Sequence, residues 1–204
     1  MSLLSIRDLS LSFRGIHGVT EVLHGISLDI APGEKVALVG ESGSGKSVTA
    51  RIVLGLLQEL AAARIDGEVR FEGEDMRGFS RQQFAANRGT EISMIFQDPM
   101  TALNPVYTIG FQIEEALKYH TDLDAPARRK RVVELLADMG IPLPKKRADE
   151  YPHEFSGGMR QRAMIAMAIA CEPAILIADE PTTALDVTIQ AQILDLLGDL
   201  QKET

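Results

Sequence analysis

The chain has 204 residues, of which 45% are apolar and 25% charged, and its 21 basic and 29 acidic side chains give a formal net charge of −8. This composition is typical of a globular domain, and it excludes a disordered tail, a collagen-like fibre and a coiled coil as the main architecture. The longest unbroken apolar run, 163–171, is about half as long as a membrane-spanning helix needs. A single cysteine, Cys171, excludes an internal disulfide framework, and the excess of acid argues against non-specific binding to nucleic acid.

Two kinds of strand pattern appear along the chain. Apolar and polar residues alternate in three stretches, which predicts half-buried antiparallel strands. These stretches are 9–13, 28–30 and 68–72. Three other runs are apolar without alternation, which predicts strands of a parallel sheet covered by helices on both faces. These runs are 36–39, 92–96 and 174–178.

Apolar residues with helical spacing occur in four segments, 52–60, 132–139, 159–167 and 189–200. The segment 97–168 has helical patterns and prolines but few strand patterns, so we predict a helical insertion in an α/β core. The predicted domains are a core of 1–96 and 169–204, whose N-terminal region is antiparallel, and a helical subdomain of 97–168. The basic run 128–131 fits either a binding patch or the solvated face of a helix.

The last predicted strand is followed only by a helix that ends near Thr204. In a βαβ unit such a helix leads to a further parallel strand. No such strand follows, so we expect the chain to be a C-terminally truncated part of a longer domain.

A glycine-rich segment between a predicted strand and a predicted helix matches the pattern G-x-x-x-x-G-K-[ST]. Its residues are Gly40, Glu41, Ser42, Gly43, Ser44, Gly45, Lys46 and Ser47. Glycines allow backbone N–H groups to surround phosphate oxygens, and the following helix N-terminus adds partial positive charge. Lys46 would reach the β- and γ-phosphates, and the Ser47 hydroxyl would bind Mg²⁺. We therefore expect a nucleoside triphosphate site, with an ordinary glycine-rich turn as the alternative.

Two further segments carry groups that suit phosphate chemistry. The 174–178 run ends in Asp179 and Glu180, which we expect beside the phosphate loop at the carboxyl edge of a parallel sheet. Asp179 can contribute to the Mg²⁺ shell, and Glu180 can polarise a water for in-line attack on the γ-phosphate; a solvated acidic turn is the alternative. Ser156 is a suitable N-cap for the third helix, and Gly157 and Gly158 would let an anion or another backbone approach that helix.

Together these motifs resemble those of ATP-binding-cassette ATPases: GESGSGKS at 40–47, Gln97, FSGGMRQR at 155–162, ILIADEP at 175–181 and ALD at 184–186. The longer strings IFQDPMTALNP at 95–105 and YPHEFSGGMRQR at 151–162 resemble the ATP-binding subunits of bacterial oligopeptide and dipeptide importers. The resemblance implies a P-loop NTPase (RecA-like) core with an antiparallel β subdomain and an inserted helical subdomain.

The resemblance also implies a role for each matching residue. Lys46 and Ser47 match the phosphate and Mg²⁺ ligands, Asp179 the Mg²⁺-associated aspartate, and Glu180 the general base. Gln97 matches the loop glutamine that contacts the metal or the attacking water, or it caps the turn before a proline.

Further matches concern adenine and the second subunit. Phe13 is similar to the aromatic residue that stacks on adenine, or it belongs to the core. The signature of Ser156, Gly157 and Gly158 matches the one that closes over ATP held by the opposite subunit. Asp186 matches the aspartate that links the two sites across the dimer, and it is also placed to cap the last helix. Val48 stands where many relatives have a threonine, so one contact to the phosphates is expected to be lost.

The function implied by the resemblance is ATP hydrolysis that drives import of di- or oligopeptides, with ATP and Mg²⁺ bound. The implied partners are a second ATPase subunit, transmembrane permease subunits and, indirectly, an external solute-binding protein, without nucleic acid. The implied location is peripheral, on the cytoplasmic face of the bacterial inner membrane. The family places a histidine after the next strand, and none follows Glu180 here. An ATP-dependent binding module of a truncated or fused cassette, without turnover on its own, is therefore an alternative. Independently of the histidine, the resemblance also leaves open an importer of another solute such as nickel, or a soluble cassette of DNA repair or translation.

Overall fold

A computed structural model describes residues 2–16, 18–58, 60–181 and 187–203. The chain forms two compact units, Met1–Ala85 and Ala86–Thr204. Among the described residues, no helix combines the length and apolar character needed to cross a membrane.

The first unit is built on an antiparallel sheet of four strands in the order β2-β1-β3-β4. The strands are β1 (Leu4–Gly15), β2 (Gly18–Ile30), β3 (Ala63–Phe71) and β4 (Glu74–Asp75). Leu11 of β1 lies opposite Leu23 of β2 and Ile65 of β3, and Leu11 and Leu23 are buried. The three alternating stretches fall in this sheet, so the predicted antiparallel strands are confirmed.

The helix after the glycine-rich segment is shorter than predicted. Helix α1 spans Lys46–Val53, whereas the apolar spacing predicted a helix that continued to Leu60. Gly55 has a φ of +70°, and a Cβ there would lie 2.3 Å from the Phe84 ring. The chain leaves the helix in this left-handed conformation and the Phe84 ring occupies the space beside it, so the predicted extension is wrong.

The predicted strand at 36–39 is also not observed. These four residues are outside every strand of the described chain and are exposed, with Val39 exposed by 90%. A parallel strand forms only where a neighbouring ladder pairs its backbone groups. The sheet of this unit is antiparallel throughout, so the run has no parallel ladder to join within its own unit.

The second unit combines a parallel strand pair with helices. The strands are β5 (Ile92–Ile95) and β6 (Ile175–Ala178), and they pair in parallel as predicted. All four residues of β5 are buried. The helices are α3 (Pro99–Ala102), α4 (Ile109–His120), α5 (Ala125–Asp138), α6 (Pro144–Arg147), α7 (Gly157–Ile169) and α8 (Val187–Glu203). A 3₁₀ turn lies at Pro152–Glu154. Another 3₁₀ turn, Met76–Gly78, belongs to the first unit, and a short helix, α2 (Arg81–Asn87), runs across the boundary between the two units.

Helix α5 confirms the sequence prediction for 132–139. The Asp124 side chain accepts a hydrogen bond from the backbone N–H of Ala127 at 2.9 Å and caps the helix N-terminus. Gly140, just past the helix, has a φ of +67°, the usual conformation for this position. The apolar stripe of α5 is buried in the core of this unit: Val132, Leu135, Leu136 and Met139.

Two other helices of this core differ from the sequence prediction. Helix α4 was not among the four predicted segments, although Ile109, Ile113 and Leu117 are one turn apart and buried. In α7 the predicted stripe includes the buried Ala163, but the two methionines of that stripe are only half-buried. The buried face lies to one side of it: Gln161, Ala163, Met164, Ile165, Ala166 and Ala168.

The basic run 128–131 on α5 is paired with acidic side chains in full. The pairs are Arg128 with Glu114, Arg129 with Asp149, Lys130 with Glu134 and Arg131 with Glu172. Such pairing favours the solvated-face alternative over a free binding patch.

Residues between α3 and the end of α7 are in helices and turns within the described part of the chain, and the division into a core and a helical subdomain stays a prediction.

Candidate functional site

The glycine-rich segment forms a turn that leads directly into α1. Gly43 and Gly45 have φ values of +83° and +93°, and Gly45 is the residue before the first helical position. A Cβ at Gly45 would lie 2.3 Å from Cδ2 of Leu23, and a Cβ at Gly40 would lie 2.6 Å from Oγ of Ser44. Glycine is favoured at Gly45 both by its left-handed φ and by the nearby Leu23 side chain, whereas at Gly40 a side chain would require the Ser44 hydroxyl to move.

The N-terminus of α1 is electrically positive. In the described structure no side chain caps this helix end, and its first turn has no acidic residue. Unpaired N–H groups and the aligned peptide dipoles make such an end attractive to anions. The exposed turn 40–44 lies immediately before it, so the arrangement suits a phosphate group.

Lys46 folds back over the same turn. Its Nζ donates hydrogen bonds to the carbonyl oxygens of Gly40 and Glu41, both at 2.9 Å. The ammonium group is therefore held at the mouth of the turn, beside the helix N-terminus. Ser47 and Val48 follow in the first turn of α1 and are half-buried.

Phe13 lies on the central strand of the antiparallel sheet. It faces Thr20 of β2 and Ala63 of β3 and is half-buried. A half-buried ring leaves part of its face accessible, so stacking on adenine stays a prediction beside the structural role.

A second group of polar residues lies at the carboxyl ends of β5 and β6. Ile95 pairs with Ala178 at the end of the ladder, and the N–H of Asp179 donates to the Ile95 carbonyl oxygen at 3.0 Å. This register brings the next residues together: Nε2 of Gln97 donates to Oε2 of Glu180 at 2.9 Å. Gln97 therefore orients an exposed carboxylate by a charge-assisted hydrogen bond.

Helix α7 also makes a hydrogen bond to the turn that carries Glu180. Nε2 of Gln161, on α7, donates to the carbonyl oxygen of Pro181 at 2.6 Å. Gln161 is 1% exposed, and sequence reasoning gave it no role. The signal was its position on the buried face of α7, one turn before Met164 and Ile165, where a polar residue is unusual.

Helix α7 begins at the predicted cap. Oγ of Ser156 accepts a hydrogen bond from the N–H of Met159 at 3.3 Å. A Cβ at Gly157 would meet no atom within 4 Å, so contacts within the described chain do not require glycine there. Open space beside a helix N-terminus agrees with approach by another molecule. Gly158 is half-buried, and Asp186 lies outside the described residues.

No group of three histidine, cysteine or carboxylate side chains in the described chain is arranged to hold a metal ion. Oxygen donors of the kind that Mg²⁺ prefers are present singly, as the Ser47 hydroxyl and the Asp179 carboxylate. Mg²⁺ is commonly held by one or two protein oxygens together with substrate phosphates and water. The donor set therefore fits a nucleotide-associated ion better than an all-protein metal site.

Comparison with known proteins identifies the family of this fold. Residues 23–183 match the family described as ABC transporter. The chain is 52% identical over 201 residues to the dipeptide transport ATP-binding protein DppD of Bacillus subtilis (strain 168), covering 98% of this chain and 60% of that protein. It is also 52% identical over 201 residues to the oligopeptide transport ATP-binding protein OppD of the same organism, covering 98% of this chain and 56% of the relative. The chain thus spans little more than half the length of these relatives.

A solved structure has the same fold. The dimeric post-hydrolysis state of the ATP-binding cassette MJ0796, bound to ADP and Pi, superposes with a TM-score of 0.85 at 29% sequence identity. The match covers 98% of this chain and 83% of that one. The predicted P-loop NTPase fold with an antiparallel β region is confirmed.

Proposed function

The chain belongs to the ABC transporter family, and from this premise we propose that it binds and hydrolyses ATP as the ATP-binding subunit of an importer of di- or oligopeptides. The observation that carries the proposal is the 2.9 Å hydrogen bond by which Gln97 orients the Glu180 carboxylate at the end of the parallel strands. A base for water must be fixed in direction as well as in charge state.

The turn 40–47 and the start of α1 bind the phosphates of ATP. The backbone N–H groups of this turn and the helix N-terminus receive phosphate oxygens. Nζ of Lys46 exchanges the carbonyl oxygens of Gly40 and Glu41 for phosphate oxygens of greater negative charge. Phe13 supports the adenine by stacking.

Mg²⁺ would be held by the Ser47 hydroxyl, with Asp179 and the Gln97 amide oxygen as the other oxygen donors. When bound, such an ion offsets charge on the phosphate oxygens. Oxygen donors of these types suit Mg²⁺.

Glu180 acts on the attacking water. Its carboxylate accepts a proton as the water oxygen bonds to the γ-phosphorus, while the bond from that phosphorus to the bridging oxygen breaks and ADP leaves. Gln97 keeps the carboxylate aligned through this step.

The family and the relatives support the following partners. A second cassette, identical or related, pairs head to tail so that Ser156, Gly157 and Gly158 close over its ATP, and Asp186 links the two sites. Permease subunits provide the membrane passage, an external protein selects the solute, and the cassettes lie on the cytoplasmic face of the membrane. The names of DppD and OppD support a peptide as the solute.

Steady-state ATPase activity of the purified chain with Mg²⁺ tests the proposal. We expect Glu180→Gln to lose turnover by at least about 100-fold while still binding ATP, because it removes the base and not the phosphate contacts. Lys46→Ala should weaken ATP binding by about tenfold or more, since it removes charge-assisted hydrogen bonds.

A matched control is available for the glutamate. Glu172 is exposed and has a φ of +53°, close to the +47° of Glu180, but it pairs with Arg131. Glu172→Gln should leave turnover unchanged. Turnover that survives Glu180→Gln would contradict the assignment of the base, and ATP binding without turnover in the wild-type chain would favour the binding-module alternative.

A further inference from the structure

Glu180 has a backbone conformation that its neighbours must maintain. Its φ is +47°, in the left-handed region, which is unfavourable for a residue with a side chain and persists only where the surroundings enforce it. In this conformation the carboxylate accepts the hydrogen bond from Gln97.

Among the contacts that Glu180 and its two neighbours make in the described part of the chain, three act as restraints. On its N-terminal side, the N–H of Asp179 is bound to the Ile95 carbonyl oxygen. At the side chain, Gln97 donates to the carboxylate. On its C-terminal side, the ring of Pro181 fixes φ, and the carbonyl of Pro181 accepts the 2.6 Å hydrogen bond from Gln161.

The third restraint comes from a buried part of helix α7. Gln161 is 1% exposed and lies in the second turn of α7, between the buried Ala163 and the start of the helix. A hydrogen bond in such surroundings is stronger than one in water, and a lost partner there is costly. Proline has no N–H, so its carbonyl is its one backbone hydrogen-bonding group, and Gln161 engages it.

We propose that Gln161 is a positioning residue for Glu180: its amide fixes the Pro181 carbonyl and so keeps the left-handed turn that aims the carboxylate. This rests on the proposed function, in which Glu180 is the base. Gln161 also ties the helix that begins at Ser156 to the turn that carries this carboxylate.

The test is the variant Gln161→Met, which keeps the length of the side chain and removes the donor. We expect kcat to fall by about 10- to 100-fold with KM and ATP affinity unchanged within about twofold, because misplacement of a catalytic group slows chemistry without removing binding contacts. In a Glu180→Gln background the same change should lower the residual rate by less than about twofold, since two residues that act as a unit are not additive.

Gln112→Met is the matched control. Gln112 is 8% exposed, and its amide donates to the carbonyl oxygens of Asn104 and Tyr107 at 3.0 Å. It is a buried glutamine that holds a turn remote in sequence from Glu180, and its loss should change kcat by less than about twofold.

The outcomes separate the two proposals. Equal kcat losses in Gln161→Met and Gln112→Met, or an undiminished loss in the Glu180→Gln background, would overturn the positioning role alone. A wild-type chain without turnover would overturn the proposed hydrolysis and the positioning role with it. If Gln161→Met does not fold, Gln161→Asn replaces it, because it keeps an amide whose reach is one methylene too short; unchanged kcat in that variant would overturn the role.

Discussion

Gly43 and Gly45 both have positive φ values, but only Gly45 is also confined by a neighbouring side chain. A Cβ at Gly43 would meet nothing within 4 Å, whereas a Cβ at Gly45 would overlap Leu23. The two positions therefore separate the cost of the backbone conformation from the cost of the contact.

Gly45→Ala should destabilise the chain by about 2–4 kcal/mol, because it combines a left-handed alanine with overpacking against Leu23. Gly43→Ala should cost about 1–2 kcal/mol, since it has the conformational cost alone. Urea unfolding of the two variants measures the difference. Equal destabilisation would show that Leu23 moves aside without cost.

The residues of the candidate site differ in how well the sequence predicts them. Gln97 and Glu180 follow apolar runs that were predicted as strands of a parallel sheet, and the resemblance singled out both residues. That the two strands are neighbours, which brings these side chains together, is known only from the structure. Gln161 was not predicted, because its role depends on a hydrogen bond to a backbone carbonyl 20 residues away. The spacing of residues along the sequence does not predict a hydrogen bond between positions this far apart.

Among the elements, most of those with a strong internal pattern were predicted, helix α4 being the exception, and those limited by their surroundings were not. The alternating strands and α5 have a period and caps that their own residues supply. The end of α1 depends on Gly55 and on the Phe84 ring beside it. The run 36–39 could form a strand only if a neighbouring strand paired with its backbone groups. Helix α4 had a usable signal, since its cap, Thr108, accepts a hydrogen bond from the N–H of Phe111, and its apolar residues are one turn apart.

The short strand β4 ends in a carboxylate that stabilises the following 3₁₀ turn. Oδ1 of Asp75 accepts a hydrogen bond from the N–H of Arg77 at 3.1 Å, and Oδ2 is 2.6 Å from Nη2 of Arg77. The hydrogen bond from the Arg77 guanidinium lowers the pKa of Asp75 from 3.8 to about 2. Because the folded value lies below the ordinary one, this pair stabilises the fold above about pH 4 and less as the pH falls toward about 2.

Asp75→Asn should therefore reduce stability near neutral pH and have little effect near pH 2. The side chains are 41% and 33% exposed, so solvent screening limits the expected loss to about 1 kcal/mol or less. Urea unfolding of wild type and variant at several pH values gives the comparison. A stability difference that stays constant from about pH 6 to about pH 2 would contradict the role of this ion pair.

For the whole molecule, the charge distribution argues against a polyanion as partner. The net charge is −8, and each cation of the basic run on α5 has an acidic neighbour. Phosphate backbones bind where unpaired lysine and arginine side chains cluster. This distribution disfavours the alternative of a cassette that acts on DNA.

The wild-type chain should thus show no salt-dependent binding to a fluorescently labelled DNA duplex at low ionic strength, as measured by anisotropy. A variant without three of the acidic partners, Glu114→Gln, Asp149→Asn and Glu172→Gln, should gain weak binding that is lost as salt is added, because it frees three arginines. Salt-dependent binding by the wild-type chain would refute the prediction.

The two hydrogen bonds of Lys46 affect whether the glycine-rich turn prefers a charged ligand or a neutral one. Nζ has three donors, and two of them already reach carbonyl oxygens. A neutral nucleoside offers acceptors no better than these, so the exchange of partners yields no net gain. A charged phosphate oxygen adds direct attraction between opposite charges, which a neutral carbonyl oxygen does not offer. In the proposed site the carbonyl contacts therefore favour exchange for an anionic ligand over a neutral one. Lys46 would thus add to the preference for nucleotide over nucleoside that the backbone N–H groups of the turn and the start of α1 also provide.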